Sequence, residues 1–240
     1  MKTPAERQNS HLMRQMFGTI APTYDFISRV FSLGMDRRWK RLGVAKAALP
    51  ENAVVLDLAC GTGDFSQLVI ERLPRATAIA ADITEAMLRL AHVRGVKNAV
   101  CGDASSLPFA SNSFDCVFIG YGLRNFPDLK AAVREIQRVT RTGGLIVSLD
   151  FFLPSNAVLR EIYLAYLYAQ GAVWGLLLHG RARVYTYIPD SLRSFLTIRD
   201  FSALLNESGY GQVATSSYIL GGIGLHWAVK KQAERERQSD

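Results

Sequence analysis

The sequence predicts an α/β fold: a seven-stranded, mostly parallel sheet with helices on both faces and an antiparallel C-terminal hairpin. Three observations carry this. Between residues 50 and 150, apolar runs of strand length alternate with amphipathic helical patterns, the βαβ rhythm of a parallel sheet. The first run, Val54-Val55-Leu56, leads through Gly61-Thr62-Gly63 into a helical pattern from Phe65, a strand–turn–helix unit whose glycines permit a sharp turn. The last two runs, 212–219 and 224–230, are joined by Gly221-Gly222, as in a hairpin.

Taken in order, residues 1–10 are polar and expected to fray. From His11 to Leu49 the pattern is helical, interrupted by Pro22 and Gly34, and is read as an N-terminal cap (11–49). A ligand-binding core (50–150) follows, with strands expected near 53–58, 76–82, 98–101, 114–120 and 144–150. Helices fit 64–73, 84–93 and 128–140, the last ended by Thr142-Gly143-Gly144 as a glycine stop. A long insertion (151–211) contains Ile162 to Leu178, very apolar and rich in aromatic residues. A helix apolar all round needs burial on every side or a greasy ligand. It is therefore read as a lid that lines a tunnel for a long lipid tail and rests on a bilayer surface. The hairpin (212–230) completes a single domain.

The 240 residues are 49% hydrophobic and 20% charged, which excludes a disordered chain. The net charge is +7, with basic clusters at Arg37-Arg38, Lys40-Arg41, Arg181, Arg183 and Lys230-Lys231. Without a nucleic-acid-binding motif beside them, these suit an anionic membrane face better than nucleic acid. Cys60, Cys101 and Cys116 show no metal spacing and are expected as buried thiols of a reducing compartment, with no metal bound. No secretory signal is evident, and no apolar run reaches the ~20 residues of a membrane span. The expectation is a cytoplasmic protein in peripheral contact with the inner face of the cytoplasmic membrane; a homodimer is one assembly the chain allows.

The turn at Gly61-x-Gly63 presents N–H groups at a helix N-terminus, where an adenosine-containing ligand can be held. A dinucleotide site normally has a third glycine where this chain has Ser66. Asp57 and Asp64 flank the loop instead. They disfavour a pyrophosphate and suit the ammonium and sulfonium charges of S-adenosyl-L-methionine. Asp82, ending the second strand, can accept from both ribose hydroxyls, and Asp103 with Ala104 is placed to meet the adenine edge.

The series Asp57, Gly61, Gly63, Asp82 and Asp103 on alternating strands and helices resembles the Rossmann-like class I S-adenosylmethionine-dependent methyltransferases. Two further stretches sharpen the likeness. Met16-Phe-Gly-Thr-Ile-Ala-Pro-Thr-Tyr-Asp25 with Phe31 to Lys40, and Tyr121-Gly-Leu-Arg-Asn-Phe-Pro-Asp128 with Leu149-Asp150-Phe151, resemble the signatures of the ubiquinone/menaquinone biosynthesis C-methyltransferases. The likeness runs from about residue 12 to 230. It departs from the family pattern at Ile27-Ser28, Arg141-Thr142, Asp150 and Phe152.

The resemblance implies cofactor contacts at Thr62, Asp82, Asp103 and Ala104 with Gly120-Tyr121 nearby. It implies catalytic or substrate-positioning roles for Tyr24, Arg124 and Asn125, and a polyprenylated quinol as substrate, whether a demethylmenaquinol or a methoxybenzoquinol. Arg124 stays charged and is expected to stabilise a developing quinolate. Asp150, at a strand's C-terminal end, is the candidate proton acceptor, ahead of His179 and His226. The rival readings are a nicotinamide-dependent oxidoreductase, a non-catalytic lipid-binding protein, and methyl transfer to another lipid or a small phenol.

Overall fold

The computed structural model describes residues 14 and 16–232; the expected fraying of residues 1–10 lies outside them. One seven-stranded sheet has the order β3-β2-β1-β4-β5-β7-β6. Strands β1 (Val54–Leu58), β2 (Thr77–Asp82), β3 (Asn98–Cys101), β4 (Phe114–Gly120) and β5 (Thr140–Phe151) are parallel. β7 (Ile223–Lys230) runs antiparallel to both β5 and β6 (Tyr210–Tyr218). The order reverses between β1 and β4, so a crevice opens at the carboxyl ends of these strands, where such sheets hold ligands.

The central strands are continuous apolar runs because both faces are covered. On one face Val55, Phe118 and Val147 pack against α1 (Tyr24–Phe31), α2 (Asp36–Lys46) and α3 (Asp64–Arg72). On the other, Leu56, Val117 and Ile146 meet α5 (Leu129–Val139), with Phe201 and Leu205 of a late helix. Between them in sequence, α4 (Glu85–Val93) sets Ala91 against Ala80.

The glycine stop after residue 140 is not there. α5 ends at Val139 and β5 already begins at Thr140. The register passes from Phe114↔Thr140 to Cys116↔Leu145, so Thr142-Gly143-Gly144 is a bulge within the strand. Gly143 has φ +78°, and a Cβ on Gly144 would fall 2.9 Å from the carbonyl oxygens of Arg141 and Asp115. The glycines bend a strand where the sequence suggested the end of a helix.

The insertion is built from α6 (Ala157–His179), α7 (Tyr187–Arg193) and α8 (Ile198–Glu207). Helix α6 is not apolar for want of a polar side to show. It buries Tyr163, Leu164 and Leu167 and leaves Val158, Ile162, Val173, Leu176 and Leu177 exposed. Gly171 and Gly175 let the chain return against it: a Cβ on Gly175 would lie 2.6 Å from the Arg181 carbonyl. None of its residues lines the cleft described below. Among the described residues no helix is long and apolar enough to cross a membrane.

One core residue ties stability to pH. His226 of β7 is fully buried between Phe152 and Phe201, and its Nε2–H donates to the Ile198 carbonyl at 3.2 Å. Burial pushes its pKa down to about 4, from 6.5. The unfolded chain therefore binds the extra proton first. This stabilisation is complete above pH 6.5 and is lost as pH falls towards 4, with roughly 2 kcal/mol gone by pH 5. Urea unfolding at pH 7.5 and 5 is expected to show that loss in the wild type, with a shallower slope in His226→Asn.

Candidate functional site

The crevice at the ends of β1, β2 and β4 is a cleft of about 750 Å³ including its open mouth. Its floor is the loop after β1 and its roof is the N-terminal cap, through Phe17 and Tyr24. The loop turns through Ala59 (φ 51°), Gly61 (φ 54°) and Gly63 (φ 84°). A Cβ on Gly61 would come 3.3 Å from the Tyr24 ring, and one on Gly63 would strike Val96 at 2.6 Å. Gly61 thus admits the roof, and Gly63 admits the chain that follows α4.

Asp82 ends β2 facing this loop. One carboxylate oxygen accepts from Gly61 N–H at 3.0 Å and the other from Thr84 N–H at 2.8 Å. Burial raises its pKa and the two amides pull it back only in part. Asp103 and Ala104 line the cleft further out, Asp103 accepting from the Ser105 amide at 2.9 Å. Gly61, Asp82, Asp103, Ala104, Tyr24 and Asn125 therefore meet at one cavity.

The two loop carboxylates do not. Asp57 lies behind the loop, accepting at 2.8 Å from both the amide and the hydroxyl of Ser66. It shares a face of β1 with Val55, the face that α3 covers, and burial pushes its pKa up to about 7. Ser66 thus has its own task where a dinucleotide site has glycine. Asp64 faces away from the cleft, bound by Lys40 at 2.6 Å and Arg94 at 2.8 Å. Burial raises its pKa, but those two cations more than offset it. Neither carboxylate is placed, as the sequence suggested, beside a cationic ligand in the cleft; one braces the loop and the other anchors the cap.

Thr62, Gly63 and Gly120 likewise support the cleft without lining it. The Thr62 hydroxyl donates to Asp25 at 2.5 Å, and Arg94 reaches Asp25 at 2.9 Å. These contacts pin the cap to the loop. Gly120 admits the Phe65 ring, 3.1 Å from where a Cβ would stand.

Beyond the loop, β4 leads to a strained residue, Tyr121 (φ 59°), and a 3₁₀ turn over Leu123–Asn125. Arg124 projects from that turn into the protein, its side chain 3% exposed, and pairs at 3.0 Å with Asp150, 0% exposed, at the end of β5. Arg124 also donates to the Tyr121 carbonyl at 3.2 Å and lies over the Phe151 ring. Burial alone would lower its pKa; Asp150, joined by Tyr187 and Tyr24, more than reverses this. Asp150 accepts from Leu123 N–H at 2.7 Å and Phe151 N–H at 2.8 Å besides Arg124. With both oxygens engaged and no exposure, it is a fixed counter-charge, not the accessible proton acceptor that its strand-end position suggested. Asp128, near Arg124 in sequence, instead caps α5 by accepting from Ala131 N–H.

Tyr24 stands within the field of Arg124, and burial, reinforced by Tyr187, lifts its phenol far above the usual value. Asn125 turns its amide to the Tyr121 carbonyl at 3.4 Å. His179 sits outside the cleft, bonded at 2.8 Å to Tyr185, whose hydroxyl meets Thr23 at 2.6 Å. That chain ties the insertion to the cap. Lys40, which ends the first signature, and Arg94, which follows α4, reach the loop from distant elements, and no local spacing points to either as a site residue. Asp25 stands in the same signature as the residue after Tyr24, without a role marked for it there.

A family model described as the ubiE/COQ5 methyltransferase family matches residues 4–230. A ubiquinone/menaquinone biosynthesis C-methyltransferase UbiE of Desulfotalea psychrophila is 36% identical over 222 residues, 91% of this chain and 90% of that one. A demethylmenaquinone methyltransferase of Lactiplantibacillus plantarum is 31% identical over 229 residues, 92% of this chain and 97% of that one. Among solved structures, a SAM-dependent methyltransferase of Thermotoga maritima superposes with a TM-score of 0.63 at 20% identity, over 91% of this chain and 100% of that one. At that identity it shares the fold.

Proposed function

The chain belongs to the ubiE/COQ5 methyltransferase family and is an S-adenosylmethionine-dependent methyltransferase; from this we propose that it methylates a ring carbon of a polyprenylated quinol. The relatives' names point to demethylmenaquinone and to ubiquinone and menaquinone biosynthesis, and the ring is accordingly that of demethylmenaquinol, of the 2-polyprenyl-6-methoxybenzoquinol, or of both. Family membership sets aside the nicotinamide reading, and Ser66 is already committed to Asp57.

The residues present fit the methyl donor. Gly61 leaves the loop floor open, and Asp82 offers carboxylate to a pair of ribose hydroxyls while Asp103 and Ala104 flank the place of the adenine. When bound, S-adenosylmethionine supplies an electrophilic methyl group on a cationic sulfur. Everything else falls to the protein. A quinol carbon becomes nucleophilic as its neighbouring hydroxyl gives its proton to water, and the hydrogen of the methylated carbon returns as a proton to that oxygen when the ring rearomatises; Arg124 provides positive charge for the oxygen in between. Tyr24 and Asn125 hold the ring beside it, and the cap roof over Gly61 excludes water.

The single observation that carries this reading is the cleft roofed by Phe17 and Tyr24, with the Arg124–Asp150 pair buried behind its wall at Tyr121 and Asn125 and not itself lining it. A pinned cation there is superfluous for a cationic donor and apt for an anionic ring oxygen. The exposed apolar row of α6, with Phe26 against Trp174 and with Arg181 and Arg183 following, supports peripheral contact with the inner face of the cytoplasmic membrane, where such a substrate resides. Incubation with methyl-labelled S-adenosylmethionine and each quinol, followed by mass spectrometry of the lipid extract, is expected to place the label on the ring of at least one. Label in neither overturns the assignment.

A further inference from the structure

We propose that Glu135 of α5, together with Arg138, is a positioning residue for the methyl donor: the pair clasps the loop after β3 so that Asp103 and Ala104 meet the adenine and select it. The inference rests on the place given to the adenine above. Residues 102–113, between β3 and β4, make only the isolated bridge Asp103↔Ser106. A stretch of this kind keeps its shape where groups from other elements satisfy its backbone. At one end the Gly102 N–H donates to the carbonyl of Asp82, the residue assigned to the ribose, at 3.0 Å. At the other end α5 takes hold of Leu107. The Leu107 N–H donates to Glu135 Oε1 at 3.0 Å, and Arg138 Nη2 donates to the Leu107 carbonyl at 3.2 Å. Asp103 and Ala104 lie between these two anchors.

The clasp is itself braced. Arg138 grips the Glu135 carboxylate through Nε at 2.9 Å and Nη2 at 2.6 Å, a fork that fixes both side chains. Its Nη1 donates to the Ser111 hydroxyl at 3.3 Å, further along the same loop. The Arg138 hydrogen bonds hold Glu135 below the usual carboxylate range, so it remains a charged acceptor at neutral pH. Asp128 and Ala132 line the cleft, and Glu135 and Arg138 follow Ala132 at steps of three, on the same side of the helix. One stripe of α5 thus walls the adenine's place and sets the loop that faces it. Neither Glu135 nor Arg138 lines the cleft, so both act through Leu107. A loop ordered in advance spares the donor the loss of entropy on binding.

Glu135→Ala removes the acceptor from the Leu107 amide. By calorimetry it is expected to weaken S-adenosylhomocysteine about tenfold, the share of one hydrogen bond to a charged group. The donor's KM should rise in step while kcat moves by less than about threefold. A merely structural role would leave the choice of base alone. S-Inosylhomocysteine carries a carbonyl oxygen where adenine has its amino group, so the Asp103 carboxylate disfavours it. The wild type is expected to prefer S-adenosylhomocysteine, and Glu135→Ala should cut that preference about threefold or more. Glu135→Gln keeps an oxygen for the Leu107 amide and should recover most of both losses. Arg138→Gln loosens the clasp from its other side and should cut the preference likewise, so the test survives a Glu135→Ala that fails to fold. A preference unchanged in these variants, or a Glu135→Ala affinity within about twofold of the wild type, overturns the proposal. Asp103→Ala separates it from the reading it rests on. A preference lost in Asp103→Ala but kept in Glu135→Ala removes Glu135 alone; one unmoved by either removes the adenine's place and the proposal with it.

Discussion

Replacing Arg124 with alanine is expected to lower kcat by about 10²–10³-fold, the effect of removing one preorganised donor aimed at developing charge. Affinity for S-adenosylhomocysteine, measured by calorimetry, should stay within a few-fold. The separation follows from the layout. The donor's place is bounded by Gly61, Asp82, Asp103 and Ala104, whereas Arg124 lies beyond Tyr121 on Phe151, tied to Asp150. Arg124→Ala also leaves Asp150 without its counter-charge, so Arg124→Lys serves as the companion variant. Lysine keeps a positive charge near Asp150 but lacks the planar fork. A large loss of kcat in both, with Arg124→Lys melting near the wild type, separates chemistry from folding. Turnover of Arg124→Ala above a tenth of the wild type would refute the role given to this side chain.

The sequence made the parallel core legible because each central strand is a short apolar run closed by a turn, and these strands are covered on both faces. The same local logic placed Asp82 and Asp103 at strand ends, and both line the cleft. It failed where direction or partner mattered more than position. Asp57 and Asp64 flank the glycine loop in sequence, but strand alternation turns Asp57 under α3, and Lys40 and Arg94 draw Asp64 outward. Gly143-Gly144 resembles a helix stop because a bulge is defined by register with the neighbouring strand, which no local pattern reveals. Likewise Tyr185, whose hydroxyl meets that of Thr23, lies 162 positions from it in the chain. Only the packing of the insertion onto the cap brings them together. The residues that were readable are those the sheet itself positions. Apart from Tyr24 and Asp25 in the first signature, those contributed by the cap and insertion become visible only in three dimensions.

Asp150→Ala is expected to destabilise the fold by about 3–5 kcal/mol, the effect of removing one partner from a buried ion pair. For a chain of this length that is a fall in Tm of roughly 6–20 °C, measurable by circular dichroism. The size follows from what Asp150 holds: the Arg124 guanidinium at 3.0 Å and the amides of Leu123 and Phe151 at 2.7 and 2.8 Å, all buried. Its loss strands a buried cation and two buried donors together. Activity should fall in parallel, because the turn carrying Arg124 loses its post. Asp150→Asn distinguishes this from proton transfer. An amide keeps the shape but abolishes the charge, so a residue needed only as a base would lose turnover with little change in Tm. A residue that fixes Arg124 lowers both. In a double-mutant cycle, Arg124→Ala with Asp150→Ala should be less destabilised than the two single losses combined, since neither charge is then left alone. Additive losses would mean that the two side chains act independently and that Asp150 is not what holds Arg124 in place.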